Sequence, residues 1–129
     1  MTEKKRYYTE EHEWVEVIEG NTARVGITEH AQEQLGDIVF VDYTSDLQEV
    51  AVGDDIVTVE SVKSVSDVCA PVSGTVTKQN EQLADSPETV NVSAMDQGWM
   101  IEMEISDPSD LDRLMDEEAY QAFLAEEEA

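Results

Sequence analysis

The run IVTVESVKSVSDVCA, residues 56–70, holds a single lysine, Lys63, between two segments rich in valine and other β-branched residues. Turn-forming sequences bound it, with VGDD just before it and PVSG just after. β-branched runs bounded by Gly, Pro and Asp are typical of strands. The apolar pattern weakens between Glu60 and Ser64, where a tight reversal fits. The sequence therefore predicts a β-hairpin with Lys63 at its tip.

A lysine at a hairpin tip has two interpretations. Polar loop tips are usually only solvated, and a lysine there usually has no further role. The second interpretation is a covalent attachment site, because a primary amine on a flexible stem can be acylated and a modifying enzyme can reach an exposed hairpin. The other lysines are Lys4, Lys5 and Lys78, so none lies between Lys5 and Lys63.

Length and composition predict one domain spanning residues 1–129, with one modest core. The chain is 40% hydrophobic, but no apolar run approaches the roughly 18 residues of a membrane helix. Residues 1–6 are polar and basic with no apolar segment after them, so we expect a disordered start and no signal peptide. The single cysteine, Cys69, excludes an intrachain disulfide, which favours a cytoplasmic location.

Charge is the most unusual bulk property of the chain. Seven Lys and Arg against 31 Asp and Glu give a net charge of −24. Such a surface repels phosphate groups, so we expect neither nucleic acid nor anionic membranes as partners. The acids are dispersed along the whole chain, which favours adaptation of the entire surface over an acidic docking tail. We therefore predict a halophilic protein, because high ionic strength screens repulsion of this kind.

Short strands dominate the predicted order of elements. Besides the Lys63 hairpin, strands are predicted at residues 12–18, 22–27, 37–43 (buried), 47–52, 74–80 and 98–105. A short helix is expected after Thr28, a good N-cap, and Gly36 ends it. Residues 80–98 are predicted to be irregular, with one helical turn near Pro87.

The C-terminal segment, residues 109–126, changes to a helical pattern. Ser109 is predicted to cap a helix carrying Leu111, Leu114 and Met115. Asp116 is predicted to cap a second helix, and the residues expected on its apolar face are Ala119, Tyr120, Phe123 and Leu124. Many short strands with outer helices indicate a small β sandwich or barrel.

Little in the sequence favours intrinsic catalysis or metal binding. His12, His30 and Cys69 show no metal-ligand spacing, so a metal site is not predicted. A nucleophilic Cys69 would need a paired base that the sequence does not reveal. There is no glycine loop of the phosphate-binding kind, and the many carboxylates cannot be sorted into catalytic and solvated ones.

Seven short motifs occur together in one order. They are HEWV (12–15), GITEHAQ (26–32), LGDIVFV (35–41), VESVKS (59–64), SDV (66–68), PVSG (71–74) and GWM (98–100). Any one alone is a weak signal, whereas the ordered set is specific. Through them the chain, from about Tyr7 to Leu124, resembles the H proteins of the glycine cleavage system.

The resemblance implies a fold and a cofactor. The fold is mainly β, a barrel-sandwich hybrid of two antiparallel sheets like that of lipoyl and biotinyl carriers. The cofactor is lipoate, attached through an amide at Lys63. Attachment would turn a charged tip into a long tether that visits several active sites, so that effective concentration replaces diffusion of a free intermediate.

The resemblance also implies a non-catalytic carrier that visits three enzymes. A pyridoxal-phosphate glycine dehydrogenase decarboxylates glycine and places its aminomethyl group on the lipoyl arm. A tetrahydrofolate-dependent aminomethyltransferase removes the one-carbon unit and releases ammonia, and an FAD-containing dihydrolipoamide dehydrogenase reoxidises the arm. The cofactors of those enzymes supply the difficult chemistry. A lipoate-attaching enzyme is the fourth implied partner.

Further site residues follow from the resemblance. Glu13 and Asp67 match positions near the cleft that receives the loaded arm, where a carboxylate could pair with the protonated amine of the cargo. The alternative is that both are solvated surface acids. Gln34 replaces a histidine common in relatives, so a histidine role in holding the arm is not carried over. Glu60 and Ser61 are expected to help the lipoylating enzyme recognise the hairpin, or else only to shape the turn.

Four rival interpretations remain at this stage. Biotin carriers usually place methionines beside the lysine, where this chain has Val62 and Ser64. Lipoyl domains of 2-oxo acid dehydrogenases are shorter and usually have aspartate before the lysine. An H-like protein that passes lipoyl groups to other enzymes is poorly separated from the main interpretation. The last rival is an interaction module with an unmodified Lys63.

Overall fold

A computed structural model describes residues 5–43 and 49–128, in which nine strands, four α-helices and one 3-10 helix form. In chain order they are β1 Lys5–Tyr8, β2 Glu13–Glu19, β3 Thr22–Ile27, α1 Glu29–Leu35, β4 Ile38–Tyr43, β5 Glu49–Val50, β6 Asp55–Ser61, β7 Val65–Cys69, β8 Gly74–Gln79, α2 Gln82–Asp85, α3 Thr89–Val92, β9 Ile101–Ile105, the 3-10 helix Pro108–Arg113 and α4 Glu117–Glu128.

The strands make two antiparallel sheets. The larger has the order β1-β2-β3-β9-β8-β5, and the smaller has the order β4-β6-β7. The β2–β3 and β6–β7 hairpins pair strands that are adjacent in sequence, whereas β3 pairs with β9 and β5 with β8. The prediction of a mainly β, two-sheet fold with a short internal helix and a helical C-terminal segment is confirmed.

The main core takes its side chains from both sheets. Strand β9 begins three residues later than the predicted strand 98–105 and alternates, since Ile101, Met103 and Ile105 are buried while Glu104 is exposed. The small sheet contributes mainly valines to the same cluster, among them Val41, Val57, Val59 and Val68. Burying each such side chain contributes about 1.5–3 kcal/mol, so apolar contact between the sheets holds them together.

A second buried cluster of Tyr8, Trp14 and Tyr120 attaches α4 to β1 and β2. Trp14 lies against Gly26, its partner across the β2–β3 pair, where a Cβ would come within 2.8 Å of the indole ring. The indole Nε1 donates a hydrogen bond to the carbonyl of Ala94 at 3.0 Å. The rings of Tyr8 and Tyr120 are stacked with centroids 4.5 Å apart.

Helix α1 begins and ends where the sequence predicts. The Thr28 side chain accepts a hydrogen bond from the Ala31 N–H at 3.2 Å, which satisfies a donor that the first turn leaves unpaired. Gly36 ends the helix with a positive φ of 82°, which glycine adopts without steric cost.

The prediction of disorder over residues 1–6 was wrong where the structure can test it. Residues 1–4 lie outside the described residues. Lys5 and Arg6 belong to β1 and pair with β2. The Arg6 guanidinium also bonds the Glu16 carboxylate at 2.7 Å, a cross-strand ion pair that helps to hold β1 in place.

Strand β4 was predicted to be buried, and half of it is not. Ile38 and Val41 are buried, but Val39 and Phe40 are 53% and 45% exposed. The pairing with β6 shifts register between Ile38 and Phe40, an irregularity that changes which side chains face the core. Of the predicted strand 47–52, only Glu49–Val50 is a strand, and residues 44–48 lie outside the described residues.

Residues 80–98 are more ordered than predicted. They form α2 and α3, whose Leu83 and Val90 side chains are fully buried. The predicted helical turn near Pro87 corresponds to α3, whereas α2 was missed. The Asn80 amide donates to the carbonyls of Gln97 and Trp99, so one polar side chain closes the segment into a loop.

The C-terminal helices differ from the prediction at their first part. A 3-10 helix forms there in place of an α-helix, and its cap is Asp107, which accepts from the Ser109 N–H, not Ser109 itself. Asp116 caps α4 as predicted, by accepting from the Ala119 N–H at 2.8 Å. Tyr120 is buried, but Ala119 is exposed and does not join the apolar face.

Candidate functional site

Lys63 lies at the tip of the hairpin between β6 and β7, as predicted. Ser61 closes the turn, because its N–H donates to the Ser64 carbonyl at 2.8 Å and its Oγ accepts from the N–H groups of Lys63 and Ser64. The side chains of Val62, Lys63 and Ser64 are all exposed. A fixed backbone therefore presents a solvent-exposed amine.

The tip also rests against the end of α1. The Val62 N–H donates to the carbonyl of Asp37 at 3.0 Å. A Cβ at Gly36 would lie 3.3 Å from Cε of Lys63 and 3.8 Å from its Nζ. Gly36 thus has two roles, since it ends the helix and leaves room for the lysine stem.

A cleft of about 300 Å³ opens beside the hairpin, between α1 and the strands β6 and β7. Its apolar lining includes Ala31, Leu35, Val59 and Val68, and Ser64 and Ser66 line it from the hairpin. Seven of the twelve lining residues are polar or charged, so the cleft combines apolar surface with groups that can orient a ligand. Gln34 also lines the cleft.

Glu13 is the one carboxylate of the cleft that is buried, with 4% of its surface exposed. It accepts a hydrogen bond from the Cys69 N–H at 2.6 Å and a longer one from Thr9 Oγ1 at 3.4 Å. Burial raises the pKa of Glu13 to about 7, although the two hydrogen bonds oppose that shift. A carboxyl that titrates near neutrality inside a cleft is typical of functional sites.

Asp67 lines the same cleft from β7, but it is exposed. Its Oδ1 accepts a hydrogen bond from Thr58 Oγ1 at 3.0 Å, across the β6–β7 pair. The structure thus brings the two predicted carboxylates, Glu13 and Asp67, to one cleft in different environments. Glu60 does not line this cleft and is half-buried between Phe40 and Val65 in the sheet register.

Sequence reasoning did not identify His12 as a residue of the cleft. Its backbone has a φ of +68°, which is uncommon for a residue with a side chain. Its Nδ1 lies 2.9 Å from the Tyr120 hydroxyl, and its ring is 4.6 Å from that of His30. The adjacent Glu13 was the only signal in the sequence, because Tyr120 lies 108 positions away.

Cys69 faces the other side of Glu13. Its thiol donates to Asp55 Oδ1 at 3.3 Å. Burial, that hydrogen bond and nearby carboxylates together raise the pKa of Cys69 to about 12, so the thiol stays protonated and is a poor nucleophile at neutral pH. Possible ligand atoms of Glu11, Glu13 and Cys69 lie within 4.8 Å of one another, a grouping that the spacing in sequence does not reveal.

Among the described residues, no helix is both long and apolar enough to cross a membrane.

Comparison with known proteins places this chain in one family. The family model "Glycine cleavage H-protein" matches residues 6–127. The chain is 49% identical over 124 residues to the glycine cleavage system H protein of Thermotoga maritima, covering 96% of this chain and 99% of that one. It is 52% identical over 119 residues to the H protein of Staphylococcus saprophyticus, covering 92% and 94%.

A solved structure agrees with these relatives. The crystal structure of a glycine cleavage system H protein from Mycobacterium marinum superposes with a TM-score of 0.81 at 31% identity, covering 97% of this chain and 98% of that one. The chain therefore belongs to the glycine cleavage H-protein family, the non-catalytic lipoyl carriers of the glycine cleavage system.

Proposed function

We propose that Lys63 is the residue that carries the lipoyl group of this carrier. The observation that carries the proposal is the position of Lys63, exposed at a closed hairpin tip and directly beside the cleft. Lys5 lies in β1 and Lys78 in β8, neither at a hairpin tip. A neutral amide at Lys63 would also remove a positive charge from the mouth of the cleft.

The residues around Lys63 suit a lipoyl arm. Gly36 leaves space along the lysine stem, and the apolar wall formed by Leu35 and Val59 suits a hydrocarbon chain. When bound, the lipoyl group supplies a disulfide that accepts the aminomethyl group of glycine and is restored by oxidation. The protein holds the arm, orients its end and excludes water from it.

Glu13 and Asp67 are proposed to bind the cargo amine at the inner end and at the rim of the cleft. A protonated amine beside Glu13 would favour the ionised carboxylate and offset the cost of its burial. Asp67 would add a second, solvent-screened attraction at the rim. The carboxylates would thus bind the loaded arm in the cleft more tightly than the unloaded arm, which has no amine.

Glu60 and Ser61 are proposed to mark the hairpin for the lipoate-attaching enzyme. Ser61 fixes the turn through three hydrogen bonds of its hydroxyl with Lys63 and Ser64, besides its backbone bond to Ser64. Glu60 lies between the exposed side chains of Phe40 and Val65 on the outer face of the small sheet. An enzyme that binds to this face could recognise a carboxylate flanked by apolar side chains.

The partners that use the arm are proposed to be three cytoplasmic enzymes. They are the pyridoxal-phosphate glycine dehydrogenase, the tetrahydrofolate-dependent aminomethyltransferase and the FAD-containing dihydrolipoamide dehydrogenase. Each must receive the arm in its own active site, so the arm must leave the cleft at every visit. An attachment point at the exposed mouth of the cleft permits both positions.

In vitro lipoylation tests the attachment site. The chain is incubated with a lipoate-attaching enzyme, lipoate and ATP, and its mass is measured for the wild type and for Lys63→Arg and Lys78→Arg. Lys78 is a matched control, because it is also exposed but lies on a strand. We expect one lipoyl increment in the wild type and in Lys78→Arg, and none in Lys63→Arg. An increment that persists in Lys63→Arg would contradict the proposal.

A further inference from the structure

The C-terminal helix contacts the cleft residue His12 through the side chain of Tyr120. Its ring is buried, and its hydroxyl lies 2.9 Å from Nδ1 of His12 and 2.8 Å from Oγ1 of Thr28. A phenolic hydroxyl has one hydrogen to donate and lone pairs to accept with, so it can make both hydrogen bonds at once.

These two contacts belong to neighbouring segments at the cleft. His12 lines the cleft directly and precedes Glu13. Thr28 caps α1 through the Ala31 N–H, and Ala31 also lines the cleft. The backbone joins the two segments, since the Thr28 N–H donates to the His12 carbonyl at 2.9 Å. Tyr120 adds a connection between them through side chains.

His12 needs such support because of its backbone. A side-chain-bearing residue at φ +68° adopts that conformation only where its surroundings hold it there. Its ring packs near His30, at 4.6 Å between centroids, and near Phe123 of α4, at 5.9 Å. The Tyr120 hydroxyl gives one ring nitrogen a fixed partner, so the orientation of the imidazole in the cleft wall is set.

Tyr120 is itself firmly attached. It stacks on Tyr8 with an angle of 6° between the ring planes. Tyr8 and Met115 exchange two backbone hydrogen bonds, of 2.8 and 2.9 Å, just before α4 begins. The hydroxyl is therefore held at a defined place relative to β1 and β2.

We propose that Tyr120 is a positioning residue of the cleft, which holds His12 and the Thr28 cap in place from the C-terminal helix. The inference rests on the proposed function of the cleft as the shelter of the loaded arm. Without the hydroxyl, the His12 side chain and the first turn of α1 gain freedom, and water reaches the cargo more often.

Tyr120→Phe removes only the hydroxyl and keeps the ring that stacks on Tyr8. Tyr43→Phe is the matched control, because the Tyr43 hydroxyl also donates a hydrogen bond, to the Asn80 carbonyl, but does not line the cleft. Circular dichroism establishes that both variants fold. In the unaltered chain, a slowly exchanging Tyr120 hydroxyl proton should be visible by NMR, and a freely exchanging one would overturn the proposal without any variant.

The first readout uses the carrier without cargo. Amide hydrogen exchange at Thr28 and Ala31 should become about two- to tenfold faster in Tyr120→Phe, the factor expected for one lost hydrogen bond. Tyr43→Phe should leave these two amides unchanged. Equal exchange in wild type and Tyr120→Phe would overturn the proposal.

The second readout uses the loaded carrier. Loss of the aminomethyl cargo to water, measured as released formaldehyde, should be about two- to tenfold faster in Tyr120→Phe, with an unchanged KM of the carrier for the decarboxylating enzyme. If Tyr120 protects the cargo through His12, Tyr120→Phe should not increase the rate of cargo loss further in a His12→Ala background. Additive increases in that rate would show that Tyr120 does not act through His12.

The outcomes separate this inference from the proposed function. Suppose that the wild type loses its cargo as fast as the double variant Glu13→Gln with Asp67→Asn. The carboxylates then do not protect the cargo, and that part of the proposed function fails. The amide exchange still tests the role of Tyr120 in that case. If the wild type protects its cargo and Tyr120→Phe protects it equally well, only the inference fails.

Discussion

At the scale of single residues, Glu13 shows what sequence can and cannot tell. Its position was predicted through the HEWV motif, and the structure does place it at the cleft. Its burial could not be predicted, because the N–H that bonds it belongs to Cys69, 56 positions further along the chain. Its raised pKa has the same origin, since burial is the main cause.

The raised pKa of Glu13 predicts a pH-dependent stability. The folded chain binds this proton up to about pH 7, whereas the unfolded chain releases it near 4.5. The bound proton therefore contributes fully to the free energy of unfolding below about pH 4.5, and this contribution is lost as the pH rises through 7. Glu13→Gln keeps a neutral acceptor for the Cys69 N–H, so we expect it to exceed the wild type at pH 8 by about 1–3 kcal/mol in free energy of unfolding, but not at pH 4.5.

Urea denaturation at both pH values measures this difference. Glu104→Gln is the control, because it removes an exposed carboxylate that does not line the cleft and should change stability by less than about 0.5 kcal/mol. If the difference in free energy of unfolding between Glu13→Gln and the wild type is the same at both pH values, ionisation of Glu13 does not destabilise the fold and the prediction is wrong.

The two cleft carboxylates predict the lifetime of the cargo. In Glu13→Gln with Asp67→Asn, loss of the aminomethyl cargo to water should be about tenfold faster or more, since a hydrogen bond to a charged group contributes about 1.5–3 kcal/mol. Released formaldehyde is the measure. Glu104→Gln with Asp112→Asn makes the same change of charge at exposed positions that do not line the cleft. Equal rates in both double variants would remove Glu13 and Asp67 from the site.

At the scale of elements, signals close in sequence were the most informative. The hairpin around Lys63 and the helix between Thr28 and Gly36 were predicted because each depends on turn and cap residues within a few positions. Gly36 was identified as a helix stop but not as the neighbour of Lys63, because that contact depends on how α1 packs on the hairpin.

Gly36→Ala tests this packing, with Gly53→Ala as its control. Both glycines have a positive φ, of 82° and 94°, so each alanine should cost about 1–3 kcal/mol of stability. A Cβ at Gly53 meets no atom within 4 Å, whereas one at Gly36 meets the Lys63 stem. Lipoylation should therefore be slower in Gly36→Ala than in Gly53→Ala. Equal lipoylation rates would mean that the stem does not depend on Gly36.

Elements fixed by distant contacts were missed or misjudged. Helix α2 depends on the burial of Leu83, and the loop around it is closed by the Asn80 side chain. The start of the C-terminal segment is set by Asp107 and by buried Asp110, which accepts from the Ser73 N–H. The Asn80–Gln97 and Asp110–Ser73 hydrogen bonds cannot be read from local sequence, because they join residues 17 and 37 positions apart.

At the scale of the whole molecule, charge is the dominant property. Ion pairs among the described residues include Arg6–Glu16, Arg24–Glu102, Lys78–Glu102 and Arg113–Asp110. Because seven Lys and Arg face 31 acids, most of the acids are left to repel one another. That repulsion opposes the compact state.

The net charge of −24 predicts that salt stabilises the fold. The screening length falls from about 10 Å at 0.1 M salt to about 3 Å at 1 M, so Tm at pH 7 should rise markedly between low and molar KCl. The control is the same comparison near pH 4.1, the isoelectric point, where the charges balance and the salt effect should shrink. An equal Tm in low and molar KCl at pH 7 would refute the halophilic interpretation.

The central claim, that Lys63 carries lipoate, is tested most directly on protein from its native source. Between Arg24 and Lys78, trypsin has no site other than Lys63. An acylated Lys63 resists cleavage, so mass spectrometry should find one peptide spanning residues 25–78 that carries the mass of a lipoyl group. Cleavage after Lys63, or a biotinyl mass on that peptide, would contradict the account.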